Sequence, residues 1–123
     1  MKIRVLITET LSSRAVHIFG ERGIEVDQRI GLVADELKAA IGAYDGLAIR
    51  SATRVNSEII SAATNLKVIG RAGIGVDNVD VPAATARGIV VMNTPFGNSI
   101  TTAEHAIAMV FALWITRWIV SGS

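Results

Sequence analysis

Five short apolar runs, each followed by a segment that reads as a capped helix, constrain this chain more than any other feature. Ile3–Thr8 (IRVLIT), Ile24–Val26, Gly46–Arg50 (GLAIR), Lys67–Arg71 (KVIGR) and Ile89–Asn93 (IVVMN) have the length and the β-branched content of strands. Ser12 can cap a helix over Ser13–Arg22, which Gly23 closes. Asp35–Ala43 places Leu37, Ala40 and Ile41 on one face. Asn56 caps a helix through Ala63. Asp80 precedes a short helix with Pro82 in its first turn, where a missing N–H does least harm, and Gly88 ends it. Thr101-x-x-Glu104 forms a capping box ahead of the longest helix, expected from Thr102 to Val120.

Repeated β-α alternation predicts a parallel sheet with helices on both faces, and right-handed crossovers leave few topologies. Five strands suggest the flavodoxin-like order 2-1-3-4-5 rather than a six-stranded dinucleotide fold. The chain has no internal repeat beyond the βα unit and no low-complexity linker, so residues 1–123 are read as a single domain.

Composition removes several function classes. Half of the 123 residues are hydrophobic and 19% are charged, the balance of a globular chain with a real core. A formal net charge of +1 gives no field that implies nucleic acid or membrane partners. Without cysteine there is no disulfide, thiolate nucleophile or thiolate metal site, and no spacing such as H-x-x-x-H suggests another metal site. The start, Met1-Lys2-Ile3-Arg4, has no signal-peptide pattern, and a cytoplasmic location is expected. The apolar run from Ala106 to Val120 is broken by Thr116 and Arg117. It falls short of the ~20 residues a spanning helix needs, and reads as a buried or interface helix.

In open parallel sheets ligands bind outside the carboxyl ends of the strands, which selects four loops. They are Thr8–Thr10, Arg50–Arg54, Ala72–Asn78 and Asn93–Thr101. Arg50-Ser51-Ala52-Thr53-Arg54 offers two guanidinium forks and two hydroxyls, a set suited to a phosphate or carboxylate. The same residues would also serve as solvated arginines beside a polar turn. Gly70-x-x-Gly73-x-Gly75 lets the backbone approach a ligand closely. It is not the dinucleotide fingerprint, because no helix follows at once and it leaves the fourth strand rather than the first. Asn93–Ser99 leads to the amino end of the last helix, where free N–H groups favour an anion.

Catalytic candidates are scarce. His17 and His105 each lack a neighbouring partner that would mark an acid–base dyad, and both read as structural or surface residues. Glu9, Asp77 and Glu104 read as isolated carboxylates, Glu104 as a cap and Asp77 as a brace for the glycine loop. A phospho-receiver of similar length needs an acidic pair after strand one, an aspartate ending strand three and a lysine ending strand five. Thr8-Glu9, Arg50 and Asn93 stand there instead, and the Thr8–Leu11 loop is a poor flavin phosphate loop.

The run Val68–Asp80 (VIGRAGIGVDNVD), then Ala83-Ala84, Gly88–Pro95, Gly97-Asn98-Ser99 and Ala103-Glu104-His105, resembles the D-isomer-specific 2-hydroxyacid dehydrogenases, and among them the branch that oxidises 3-phosphoglycerate. Ile49-Arg50-Ser51 and Val5-Leu6-Ile7 match as well, and the resemblance covers residues 1–113. It implies a flavodoxin-like substrate domain working with a separate NAD domain. It also implies that Arg50, Ser51 and Arg54 lie on the substrate side; Ala52 stands where the family often has a second arginine, with Arg54 as a possible replacement. By the same resemblance the N–H groups of Gly73, Ile74 and Gly75 face the substrate carboxylate and the nicotinamide. Ile74, Asn98 and Thr102 would border the cofactor. The family's catalytic arginine, glutamate and histidine and its G-x-G-x-x-G belong to the NAD domain. No catalytic residue and no bound cofactor are therefore expected in these 123 residues, and only weak binding of a small anion.

The end departs from the family pattern: Trp114 and Trp118 stand four apart, with Ile115 and Ile119 beside them. The stripe suggests a repacked helix or a homodimer seam, and Ser121-Gly122-Ser123 suggests engineering. The expectation is an excised substrate domain, inactive alone, with a stand-alone scaffold or oligomerising module as the alternative.

Overall fold

The computed structural model describes residues 3–72 and 77–93, together with His105, Ala108 and Met109. Its element order is β1 (Arg4–Ile7), α1 (Ser13–Glu21), β2 (Glu25–Gln28), α2 (Ala34–Ala40), β3 (Gly46–Ile49), α3 (Ser57–Ala62), β4 (Val68–Arg71), α4 (Val81–Ala86) and β5 (Val90–Asn93). The strands form one sheet in the order β2-β1-β3-β4-β5, every neighbouring pair parallel. That is the doubly wound flavodoxin-like order expected from the alternation.

The period of two along each strand divides the core into two layers. Val5, Ile7, Ala48 and Val68 pack on one face with Ala15, Ile18 and Phe19 of α1, and Ala108 joins them. Leu6, Leu47, Ile49 and Ile69 pack on the other with Leu37 of α2, Ile59 and Ile60 of α3 and Ala84 of α4. A sheet covered on both faces needs near-continuous apolar strands, which is why β1, β3 and β4 stood out in the sequence.

The helix starts follow the capping residues. The side chains of Ser12, Asn56 and Asp80 accept hydrogen bonds from the N–H of Ala15, Ile59 and Ala83, at 3.2, 3.0 and 3.0 Å. Gly23 and Gly88 take φ of 74° and 72° just past Arg22 and Arg87, the C-caps of α1 and α4, the left-handed conformation that ends a helix at low cost only for glycine.

One element differs from expectation. The helix expected over Asp35–Ala43 begins at Ala34, where the Glu36 carboxylate accepts from the N–H of Val33 at 3.0 Å. It tightens into a 3-10 turn at Ile41–Ala43, where Gly42 weakens the α-helix. The second strand, which Ile24–Val26 is expected to open, runs over Glu25–Gln28. It is an edge strand, so its polar residues remain outside the core. The expected long helix from Thr102 lies mostly outside the described residues; His105, Ala108 and Met109 are helical. Among the described residues no helix is long and apolar enough to cross a membrane.

Candidate functional site

The carboxyl ends of β1 and β3 lie side by side, since Ile7 pairs with Ala48. Their following loops therefore meet. Glu9, just past β1, extends its carboxylate to the loop after β3: Oε2 accepts from the N–H of Arg50 at 2.6 Å and of Thr53 at 3.1 Å, and Oε1 accepts from Ala52 at 3.0 Å. Thr8, buried at the end of β1, shares a 2.8 Å hydroxyl hydrogen bond with Thr53. From the opposite side Asn78 donates Nδ2 to the carbonyls of Arg50 and Thr53, at 2.8 and 2.6 Å. A parallel bridge between Val55 and Val79 closes the arrangement, with Val55 N–H to the Asn78 carbonyl at 2.8 Å and Asp80 N–H to the Val55 carbonyl at 2.9 Å.

Loop 50–54 is thus pinned through its main chain, and its side chains project into two clefts. One, of about 480 Å³, is lined by Thr8, Glu9, Thr10, Arg50, Thr53 and Arg54, together with Ile30, Gly31, Leu32, Ala34 and Leu37. Arg50 Nη1 there donates to the Thr10 carbonyl at 3.4 Å, a long and weak contact. The other cleft, of about 230 Å³, is lined by Ser51, Ala52, Arg54, Arg71, Asp77 and Asn78. Arg54 borders both and is exposed.

Arg50 and Arg54 line the first cleft, and Ser51 and Arg54 line the second. The structure corrects the reading of Glu9 as an isolated carboxylate: Glu9 organises the arginine loop. Asn78 braces loop 50–54, and its neighbour Asp77 is exposed; the glycine loop that Asp77 was expected to brace lies outside the described residues. Arg71 was read only as a strand end; pairing with Ile49 places it beside the second cleft. His17 does have a partner, Glu21 at 2.8 Å, one turn along α1, but both side chains are more than half exposed and line neither cleft. Gly73, Ile74, Gly75, Asn98, Thr102, Trp114, Ile115, Trp118 and Ile119 lie outside the described residues. Among the described residues no group of acidic or histidine side chains could hold a metal ion.

The loop after β1 does not fit a dinucleotide. It carries no glycine turn of the kind that lets a main chain approach a pyrophosphate.

A doubly wound parallel sheet in this order, with helices on both faces, defines a flavodoxin-like domain. The chain belongs to the D-isomer specific 2-hydroxyacid dehydrogenases: residues 5–120 match the model of that family's catalytic domain. It is 49% identical over 110 residues to D-3-phosphoglycerate dehydrogenase of Archaeoglobus fulgidus, covering 89% of this chain and 21% of that relative. The chain therefore spans about a fifth of the length of the curated relatives it matches. Among solved structures, a Thermus thermophilus protein shares 37% identity with a TM-score of 0.72, covering 98% of this chain and 39% of its own. The 3-phosphoglycerate dehydrogenase of Entamoeba histolytica, solved with NAD+ bound, shares 31% identity with a TM-score of 0.70, covering 76% of this chain and 33% of its own.

Proposed function

We propose that this chain forms the substrate-binding wall of an NAD-dependent dehydrogenase acting on a 2-hydroxy acid with a second anionic group, 3-phosphoglycerate being the leading candidate. One observation carries the reading: Arg50 and Arg54 stand on a loop whose main chain is held from both sides before any ligand arrives. Guanidinium forks match phosphate and carboxylate oxygens, and a loop already ordered loses little further entropy on binding. Ser51 adds a hydroxyl donor. The named relatives support the substrate class, since A. fulgidus and E. histolytica proteins with this segment bear the 3-phosphoglycerate dehydrogenase name.

Oxidising a 2-hydroxyl needs a base and a hydride acceptor; among the described residues the carboxylates that line the two clefts are Glu9 and the exposed Asp77. Glu9 is committed to three N–H groups, and His17 pairs with Glu21 on the surface of α1. The described residues bind and orient; the dinucleotide that accepts hydride, and the base, belong to other parts of the enzyme. The 123-residue chain by itself is expected to give no NADH with 3-phosphoglycerate above background. A rate that disappears in Arg50→Ala would refute this division of labour.

Calorimetry tests the substrate class. Arg50→Ala and Arg54→Ala should each weaken 3-phosphoglycerate by about tenfold, the worth of one charged hydrogen bond. Glycerol, which has no anionic group, should not bind. Equal affinity in the wild type and both variants would remove the anion loop from the account.

A further inference from the structure

We propose that Glu9 is the positioning residue of the substrate loop and determines which of the loop's groups a substrate anion can use. The proposal rests on the reading of residues 50–54 as the substrate element. Three main-chain donors, from Arg50, Ala52 and Thr53, converge on one half-buried carboxylate at 2.6, 3.0 and 3.1 Å. Successive N–H groups turned to one point make a concave anion nest. At the carboxyl edge of a parallel sheet, such a nest is where an incoming phosphate or carboxylate would settle. Here the chain's own carboxylate fills it.

Two consequences follow from that occupancy. The loop keeps one shape without ligand, because Glu9 holds its donors while Asn78 holds its acceptors at Arg50 and Thr53. The main-chain donors of residues 50, 52 and 53 are also spent. What loop 50–54 then offers a substrate anion is chiefly its side chains, the guanidinium groups of Arg50 and Arg54 and the Ser51 hydroxyl. Glu9 lines the same cleft as both arginines, so an anion in that cleft meets a carboxylate whose oxygens already accept three hydrogen bonds. Glu9 acts through the loop and is not a catalytic residue.

Amide hydrogen exchange on the 123-residue chain tests the clamp, with Glu9→Ala and Glu9→Gln beside the wild type. In Glu9→Ala, exchange at Arg50, Ala52 and Thr53 should rise about tenfold, as expected for the loss of a charged acceptor. Exchange at Leu47 and Ile69 in the sheet should stay unchanged. Added formate should enter the vacated nest and restore protection at the three loop positions alone. Glu9→Gln keeps the shape but loses the charge and one acceptor oxygen, so it should show a weaker form of the same pattern; it carries the test if Glu9→Ala does not fold.

Affinity for 3-phosphoglycerate should fall about tenfold in Glu9→Gln. Unchanged exchange at the three positions overturns the clamp, as does a rise spread over the whole sheet that formate does not reverse. Lost protection with unchanged affinity overturns the positioning role. The exchange readout needs no substrate. A wild-type chain that does not bind 3-phosphoglycerate would therefore sink the proposed function while leaving the clamp standing.

Discussion

The Glu9 carboxylate and the main-chain nitrogen of Arg50 lie 2.6 Å apart across 41 residues of sequence, joining the loop after β1 to the loop after β3. Parallel pairing of the two strands makes the contact possible, because it places both carboxyl ends on one edge of the sheet. The contact is made through the backbone of Arg50, which leaves its side chain to face the cleft.

Asn78 completes the clamp, and Asn78→Ala should loosen it from the other side. The carbonyls of Arg50 and Thr53 would lose their side-chain donor, at a cost of about 1–3 kcal/mol if they remain buried. Asn78→Asp should cost more, because a carboxylate would face two carbonyl oxygens. Urea denaturation followed by circular dichroism measures both, and a midpoint equal to wild type in Asn78→Asp would contradict the clamp geometry.

Phe19 is fully buried where α1 meets β1. Phe19→Ala should destabilise the chain by about 3–5 kcal/mol through lost burial and the cavity left behind. Thermal unfolding would show the loss. A loss confined to a few tenths of a kcal/mol would mean that the layer under α1 collapses to fill the space.

The opposite end of the sheet carries a charge cluster that should set the pH limits of stability. Asp27 accepts from Tyr44 Oη at 2.6 Å and from Arg4 Nη2 at 2.7 Å, and the Arg4 guanidinium lies 4.7 Å above the Tyr44 ring. Hydrogen bonds from Tyr44 and then Arg4 hold the Asp27 carboxyl below its ordinary range. A depressed folded pKa means that this stabilisation is present above the unfolded carboxylate range and is lost as pH falls through the folded value. Burial, and then the Asp27 partner, push Tyr44 above its ordinary range. Its contribution is present below the unfolded phenol range and is lost as pH rises through the folded value. Asp27→Asn should therefore flatten stability at the acid limit and bring Tyr44 ionisation to lower pH, read by absorbance titration of this single tyrosine. An unmoved tyrosine titration would contradict the pairing.

The sheet was legible because its central strands are buried on both faces: IRVLIT, GLAIR and KVIGR are apolar runs with a sharp polar end. The caps at Ser12, Asn56 and Asp80 act within three residues, so local sequence carries them. The extent of the edge strand was hidden because Asp27 and Gln28 answer to solvent and to Arg4 rather than to a core. The clamp was illegible for a different reason. Glu9 and Arg50 meet only through strand pairing, and a lone carboxylate after a strand looks the same whether solvated or bound to three distant N–H groups. The rule that ligands gather at the carboxyl edge had selected both loops, and only their mutual contact was missing.

Titration of the 15N-labelled chain with 3-phosphoglycerate, followed at the Nε–H signals of Arg50 and Arg54, decides whether loop 50–54 holds the substrate anion through its arginines. The account predicts saturable shifts at both guanidinium groups, with the amides of Arg50, Ala52 and Thr53 still protected by Glu9 at saturation. Saturable binding that leaves both arginine signals unmoved, or no binding at all, would contradict it.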